Sequence, residues 1–366
     1  MEAVTVHLGD FSSHMRELGK GFLFTLVIGT TDTSLVPGIT IAGGAKPELT
    51  HYTPAADAEY LVLGRCRVIP TVPMTPDGKP TPALITRSAI KLTGSGVLVV
   101  NAGTRVRPNI PIIDLQGEPG RDIKTGLAIN RNVVNRAFDN GVILGENLAR
   151  VSGAIVIGES IPAGTTTAMA FLVAMGYDAW NKMSSASPVN PRDLKITVAR
   201  EALKNAGIDK PLEDPLEAVS RVGDPVILAI GAIAIGAARQ GAKVLLAGGT
   251  QMAAVLAFIK HLDKGTLSNV AIGTTEWLIG DRTADLVGLI REIAEVPLAS
   301  VNLSFSDMPH EGLRAYEEGF VKEGVGAGGV SIAAIARGGF TIKRLKEVIL
   351  GDYRVLLRGG VGGIDH

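Results

Sequence analysis

Little in this chain is aromatic. Only 4% of its 366 residues are Phe, Trp or Tyr, too few for a surface that stacks the successive bases of a single strand. There is one cysteine, Cys66, which excludes an internal disulfide framework and a Cys-built zinc site and suits a reducing compartment. Neither sign of charge is in excess. With 36 basic against 36 acidic residues, the basic footprint that nucleic acid or an anionic membrane requires is missing. Long hydrophobic runs are absent as well: the longest goes from Pro225 to Ala238, short of the ~20 residues of a bilayer span. The N-terminal stretch mixes charges with apolar residues and has no signal-peptide core, so the expected location is the cytoplasm.

What the chain has in quantity is glycine. Its 45 glycines stand well above the ~7% of an average chain, without a collagen period or low complexity. Such a composition means tight turns and places where backbone comes close to something else. At ~100–200 residues per domain, the length allows two or three structural units.

Short apolar runs alternate with helical patterns. Phe22–Gly29, Tyr60–Leu63, Val97–Val100, Ala154–Gly158, Lys243–Ala247 and Val270–Ile272 suit strands buried on both faces of a parallel sheet. Helical patterns fall at Asn132–Ala149, Thr165–Met175, Asp193–Ala206, Asp214–Arg221, Pro225–Gln240, Met252–Leu262, Ala284–Ile293 and Ile342–Ile349. The alternation predicts an α/β fold, a doubly wound, mostly parallel, Rossmann-like sheet with ligands beyond the carboxyl ends of its strands. Two Pro/Gly-rich loops, Ile69–Pro82 and Gln116–Gly126, are long enough to be functional or mobile.

Three glycine-rich turns carry the chemistry. In Gly158-Glu-Ser-Ile-Pro-Ala-Gly164-Thr-Thr-Thr167 a strand runs into a turn and then a hydroxyl-rich helix start. Free N–H groups and the helix dipole there favour an anion, although Thr165 and Thr166 also suit an ordinary N-terminal cap. Glu159, at a strand end on the ligand edge, reads as a binding carboxylate. The turn Leu246-Ala-Gly248-Gly249-Thr250-Gln-Met252 repeats this logic, either as a ribose or phosphate contact or as a compact strand–helix connection. The third is Lys322-Glu323-Gly324-Val-Gly326-Ala-Gly-Gly329. It matches G-x-G-x-x-G, but a charged segment rather than a strand precedes it, so the dinucleotide context fails. Glu323 there serves equally well as a cap, a solvated charge or a functional acid.

Other chemistries find no support. There is no P-loop, no HxH or HExxH pair among the six histidines, and no G-x-S-x-G elbow. No strand end supplies the acidic pair with which diphosphate-activated phosphoribosyltransferases manage magnesium.

Taken together, the turns resemble the nicotinate-nucleotide–dimethylbenzimidazole phosphoribosyltransferase family, in a divergent branch of archaeal and cyanobacterial type. The family's GEMGIGNTT resembles GESIPAGTTT. Its DPLxxLxxxGGFEIAAMAGAxLGAA resembles the segment Asp214–Ala238, its strand ending in Asp-Gly resembles VLLAGGTQ, and its LGEGxGAAL resembles KEGVGAGGV. The motifs occur in the family's order, from about Ser95 to Ala336. The family's SHxSAExGH loop is replaced by TTEWLIGDR, Thr274–Arg282.

The resemblance implies transfer of the 5-phosphoribosyl group of nicotinate mononucleotide to a benzimidazole-type or purine base, without metal or cofactor, in cobamide lower-ligand assembly. It implies Glu323 as general base and Glu159 as a positioning acid. Gly158, Gly164, Thr165, Thr166, Ser184, Ser185, Lys195, Gly248, Gly249, Thr250, Gly324 and Gly326 would bind substrate, with Lys195 and the Ser184–Ser187 loop near the phosphate. It also implies a large nucleotide-binding domain over 31–310, a small, mainly helical domain from 1–30 plus 311–366 that contributes the catalytic Glu, and a homodimer. The replaced loop keeps a second reading open, a non-catalytic binder of a nucleotide or corrinoid intermediate. A nicotinamide-dependent oxidoreductase, resting on G-x-G-x-x-G alone, is the third.

Overall fold

The structure, a computed structural model, describes residues 3–43, 46–70, 74 and 78–359. Eight strands form one sheet: β1 (Val4–Leu8), β2 (Leu23–Gly29), β3 (Gly96–Gly103), β4 (Ile113–Asp114), β5 (Ala154–Ser160), β6 (Lys243–Ala247), β7 (Val270–Thr275) and β8 (Leu298–Val301). Their order is β1-β8-β7-β6-β5-β2-β3-β4, parallel throughout except for the antiparallel edge pair β1–β8. The chain leaves β2 in one direction through β3 and β4, then returns to β5 and continues the other way. The gap between β2 and β5 is therefore the topological switch point, where a doubly wound sheet offers a crevice at its carboxyl edge.

Strand alternation splits the core into two layers. Val27, Val100, Ile155, Ile157, Val244, Leu246 and Ile272 face one side. There they meet α4 (Arg131–Val151), α5 (Gly164–Ala174), α6 (Arg192–Asn205), α7 (Pro215–Val222), α8 (Pro225–Arg239), α9 (Gln251–Leu262) and α11 (Leu286–Ile293). Phe24, Leu26, Ile28, Val156, Leu245, Ala247 and Val301 face the other. That side is covered by α1 (Ser12–Lys20), α2 (Thr53–Leu63), α3 (Ala83–Thr93), α13 (Ala327–Ala336) and α14 (Ile342–Gly359). Two four-residue turns, α10 (Glu276–Ile279) and α12 (Glu311–Arg314), complete the helices. The apolar run Pro225–Ala238 is α8, buried along its length as core. Among the described residues no helix is long and apolar enough to cross a membrane.

The doubly wound reading holds, with three differences. Tyr60–Leu63 is the end of helix α2 rather than a strand; Pro54–Leu61 is buried on every side, so no 3.6-residue stripe marks the helix. Residues 4–8 and 23–29, assigned from sequence to a helical domain, are an edge strand and a central strand of the sheet. The Gln116–Gly126 loop is pinned to the end of β2, through Gly120 N–H to the Thr30 carbonyl (2.8 Å) and Asp32 N–H to the Gly120 carbonyl (2.9 Å). Of the loop Ile69–Pro82, residues 71–73 and 75–77 lie outside the described residues.

Candidate active site

A cavity of about 430 Å³ opens at the carboxyl edge of β5 and β6, within the ~300–1,000 Å³ range of small-molecule pockets. Each of its walls comes from a different part of the chain. The turn after β5 contributes Glu159 to Thr165, and the start of α9 contributes Gly249, Thr250 and Gln251. The loop of Ser184 and Ser185, the segment Val321–Val325, and an apolar wall with Ile39, Ile41, Leu49, Tyr52 and Leu278 close it.

Glu159 is placed by the strand itself. It is the penultimate residue of β5 and only 5% exposed. Its Oε2 accepts the Ile161 N–H (3.1 Å) and its Oε1 the Gln251 side-chain amide (3.4 Å). Burial, reinforced by Asp224, Glu323 and Asp57, raises its pKa to about 8.

Glu323 is placed by strain and close packing. Val321 (φ 48°) and Val325 (φ 51°) on either side of it are in the left-handed region, where a β-branched side chain is a genuine outlier. Such conformations cost on the order of 1–3 kcal/mol each and persist only where the surroundings over-determine them. Here the surroundings are explicit. A Cβ on Gly158 would stand 2.9 Å from Gly326 Cα, and one on Gly329 would stand 2.4 Å from Ala247 Cβ. Glycine at these sites lets the start of α13 lie directly on β5 and β6. The Val325 N–H then bonds the Glu159 carbonyl (2.9 Å), tying the two acidic segments together.

The Glu323 carboxylate is held across the mouth of α13. Oε1 accepts the N–H groups of Gly324 (3.1 Å) and Gly328 (3.2 Å), and Oε2 accepts the Thr274 hydroxyl (3.3 Å). These bonds favour the charged form, but burial outweighs them and raises the pKa to about 7. A carboxyl poised there exchanges a proton near neutrality, as a general base requires.

A cationic corner lies beside it. Lys322 lines the cavity and pairs with Asp281 (3.2 Å), whose other contacts include the Ser184 hydroxyl (2.7 Å). Asp281 belongs to the Thr274–Arg282 segment, so the loop that departs from the family pattern still reaches the site.

The structure brings Glu159, Glu323, Gly164, Thr165, Ser184, Ser185, Gly249, Thr250 and Gly324 to the cavity. Gly158, Thr166, Lys195, Gly248 and Gly326 stand behind its wall. Gly158 and Gly326 face each other, Gly248 makes room for Met252, and Thr166 is fully buried within α5. Lys195, the expected phosphate ligand, is 1% exposed and donates to the Ser184 carbonyl (2.5 Å), supporting the serine loop from behind. Burial and the Lys322 charge lower its pKa to about 7. Sequence reasoning missed Lys322, Asp57 and Gln251 as cavity residues. The one available signal was a pair of acids, Asp57 and Glu59, within the otherwise mostly apolar run of α2.

With this geometry in view, three similarities can be placed. A family model described as phosphoribosyltransferase matches residues 88–274, just over half of the chain. A UPF0284 protein of Saccharolobus solfataricus is 53% identical over 329 residues, covering 90% of this chain and 91% of that protein. One from Sulfolobus acidocaldarius is 54% identical over 321 residues, covering 88% and 91%. Among solved structures, the nicotinate-nucleotide–dimethylbenzimidazole phosphoribosyltransferase of Thermus thermophilus superposes with a TM-score of 0.58 at 15% identity, over 94% of this chain and 90% of that one. CobT from the same organism gives 0.60 at 14%, over 96% and 92%. At that identity the likeness is one of fold. The chain belongs to the phosphoribosyltransferase family, together with its UPF0284 relatives.

Proposed function

We propose that the protein moves the 5-phosphoribosyl group of nicotinate mononucleotide onto a benzimidazole-type or purine base, giving an α-ribosyl 5′-phosphate and nicotinate for cobamide lower-ligand assembly. The observation that carries this reading is Glu323, its carboxyl at the cavity wall with a pKa near 7.

The chemistry balances without a further reactant. The donor's ribose is bonded to a cationic pyridinium nitrogen, and the pair of electrons in that bond leaves with the ring, neutralising its nitrogen to give nicotinate. A ring nitrogen of the incoming base forms the new bond at the anomeric carbon from the opposite face. Positive charge would build on the base, and the N–H of its other ring nitrogen gives its proton to Glu323. General-base assistance of this kind is typically worth ~10²–10⁴-fold. Glu159, held neutral at pH 7 by its surroundings, acts as a hydrogen-bond donor that positions substrate. The helix starts at Gly164–Thr165 and Gly249–Gln251, with Lys322 and Ser185, form the corner suited to the phosphate. In this reading the segments 1–30 and 311–366 together form the smaller unit that supplies Glu323, and the active assembly is a homodimer.

The test is release of nicotinate from its mononucleotide by the purified protein, followed with and without a panel of bases. Release that requires a base, and that collapses in Glu323→Gln, supports transfer. Mononucleotide binding without turnover for any base would replace this reading by a non-catalytic nucleotide binder. Release that ignores the base would point to simple hydrolysis.

A further inference from the structure

Asp57 is the acid the proposed chemistry leaves unused. It lies on α2, is 5% exposed, and borders the same cavity as Glu159 and Glu323. Its Oδ1 accepts the Thr81 hydroxyl (2.7 Å) and its Oδ2 the Ser160 hydroxyl (2.7 Å). Among the described residues no Lys, Arg or His comes within ion-pair distance of it. A carboxylate has about four acceptor sites, and among the described residues two hydroxyls fill half of them. Its neighbour acid in α2 shows the contrast. Glu59, two residues on and fully buried, takes the backbone N–H groups of Arg67, Val68 and Asn109 and is an internal cap for loops. Among the described residues no backbone N–H reaches Asp57, which borders the cavity instead.

We propose that Asp57 selects the accepting base, as the hydrogen-bond acceptor for a donor group on the edge of the ring away from the reacting nitrogen. Ile39, Ile41, Leu49 and Ala56 line the same cavity and offer an apolar face that suits a flat ring, beside the polar Thr53, Lys79, Thr81 and Ser160. A ring whose far edge carries an amino or hydroxyl group, as in adenine or 5-hydroxybenzimidazole, supplies the missing donor. A ring with methyl groups there, as in 5,6-dimethylbenzimidazole, covers the carboxylate and takes away its water without replacing it. Sites built around a buried polar partner reject an analogue that lacks it far more strongly than apolar pockets reject a change in size. This inference rests on the phosphoribosyl-transfer reading for the identity of the ligand, but it is tested by binding alone.

The experiment is titration calorimetry of the full chain with adenine, 5-hydroxybenzimidazole, benzimidazole and 5,6-dimethylbenzimidazole, with nicotinate present to occupy the donor side. The same panel is run as nicotinate release from the mononucleotide. Adenine or 5-hydroxybenzimidazole should bind at least ~100-fold more tightly than the dimethyl compound. In Asp57→Asn that preference should fall by ~10-fold or more, with mononucleotide affinity unchanged. Tighter binding of the dimethyl compound by the native chain, or equal losses for all bases in the variant, overturns the proposal, as does failure of every base to bind. Selective binding without nicotinate release would leave Asp57 in this role and remove the transfer reaction. If Asp57→Asn does not fold, the native panel decides by itself.

Discussion

Glu159 and Glu323 reach the cavity wall by opposite routes. Glu159 sits on a central strand with neighbours on both sides, in regular extended geometry, and its place is fixed once the sheet forms. Glu323 sits on an irregular turn between two valines in left-handed conformations, and its place is fixed by glycines that let α13 settle on the strands. Burial raises both pKa values, yet the chemical consequence differs. Glu159, with three acids pressing on it, is mostly protonated at neutral pH. Glu323, with two N–H groups and a hydroxyl supporting its anion, divides its time between the two forms. A rigid frame holds Glu159, and a strained, well-supported turn holds Glu323.

The sharpest way to break this comparison is Glu323→Gln. Turnover should fall ~10²–10⁴-fold while the fold is kept, because the amide preserves shape and loses basicity. Turnover of the native protein should rise with pH through about 7 as Glu323 loses its proton, and this limb should be absent from the residual activity of the variant. A pH–rate profile without it would remove Glu323 from the role.

Glu159→Gln should act mainly on stability. The folded-state pKa lies above the unfolded value of 4.5, so the native state binds more protons than the unfolded chain between pH 4.5 and about 8. Stability is then fully present below pH 4.5 and declines as pH rises through that window. The glutamine variant escapes the decline and should exceed the native protein by a few kcal/mol at pH 8.5, on the order of the shift itself, and by much less at pH 5. Melting curves at the two pH values check this.

Gly158→Ala would push a methyl to 2.9 Å from Gly326 Cα. Because the atoms it meets belong to the Gly326 backbone, the α13 turn must move, at about 1–3 kcal/mol of stability and with a loss of turnover larger than the loss of substrate affinity. Val321→Gly should instead stabilise the chain by ~0.5–1 kcal/mol if left-handed strain dominates, and lower turnover by loosening Glu323. The smallest expected effect is that of Thr274→Val. It removes one hydroxyl that supports the Glu323 anion, so the acidic limb of the pH–rate profile should move upward by a fraction of a unit.

Much of this was legible from sequence where local pattern and burial agree. β2, β3, β5, β6 and β7 announce themselves as apolar runs, and Lys243–Ala247 is a strand with the expected bounds. Where burial is complete, the pattern fails: α2 has no polar face and its end looked like a strand. The edge strand β1 and its neighbour β8 are short, and β1 gains its shape from β8 across the chain. In the site, the strand-end acid and the acid of the third glycine turn were readable from turns and resemblance. Lys195 was not readable, since sequence offered only a phosphate ligand or a solvated charge. The third possibility, an ammonium buried against a carbonyl, depends on α6 lying behind the serine loop. Lys322 and Asp57 escaped because their meaning comes from partners far along the chain, Asp281 for one and Ser160 for the other.

The facing glycines 158 and 326 have a kinetic consequence. They join points of the chain far apart in sequence, and contacts of that kind close late because the intervening segments must first find their places. During synthesis β5 emerges well before the turn that carries Lys322 and Glu323, so the cavity is complete only once the later part of the chain has docked on the sheet.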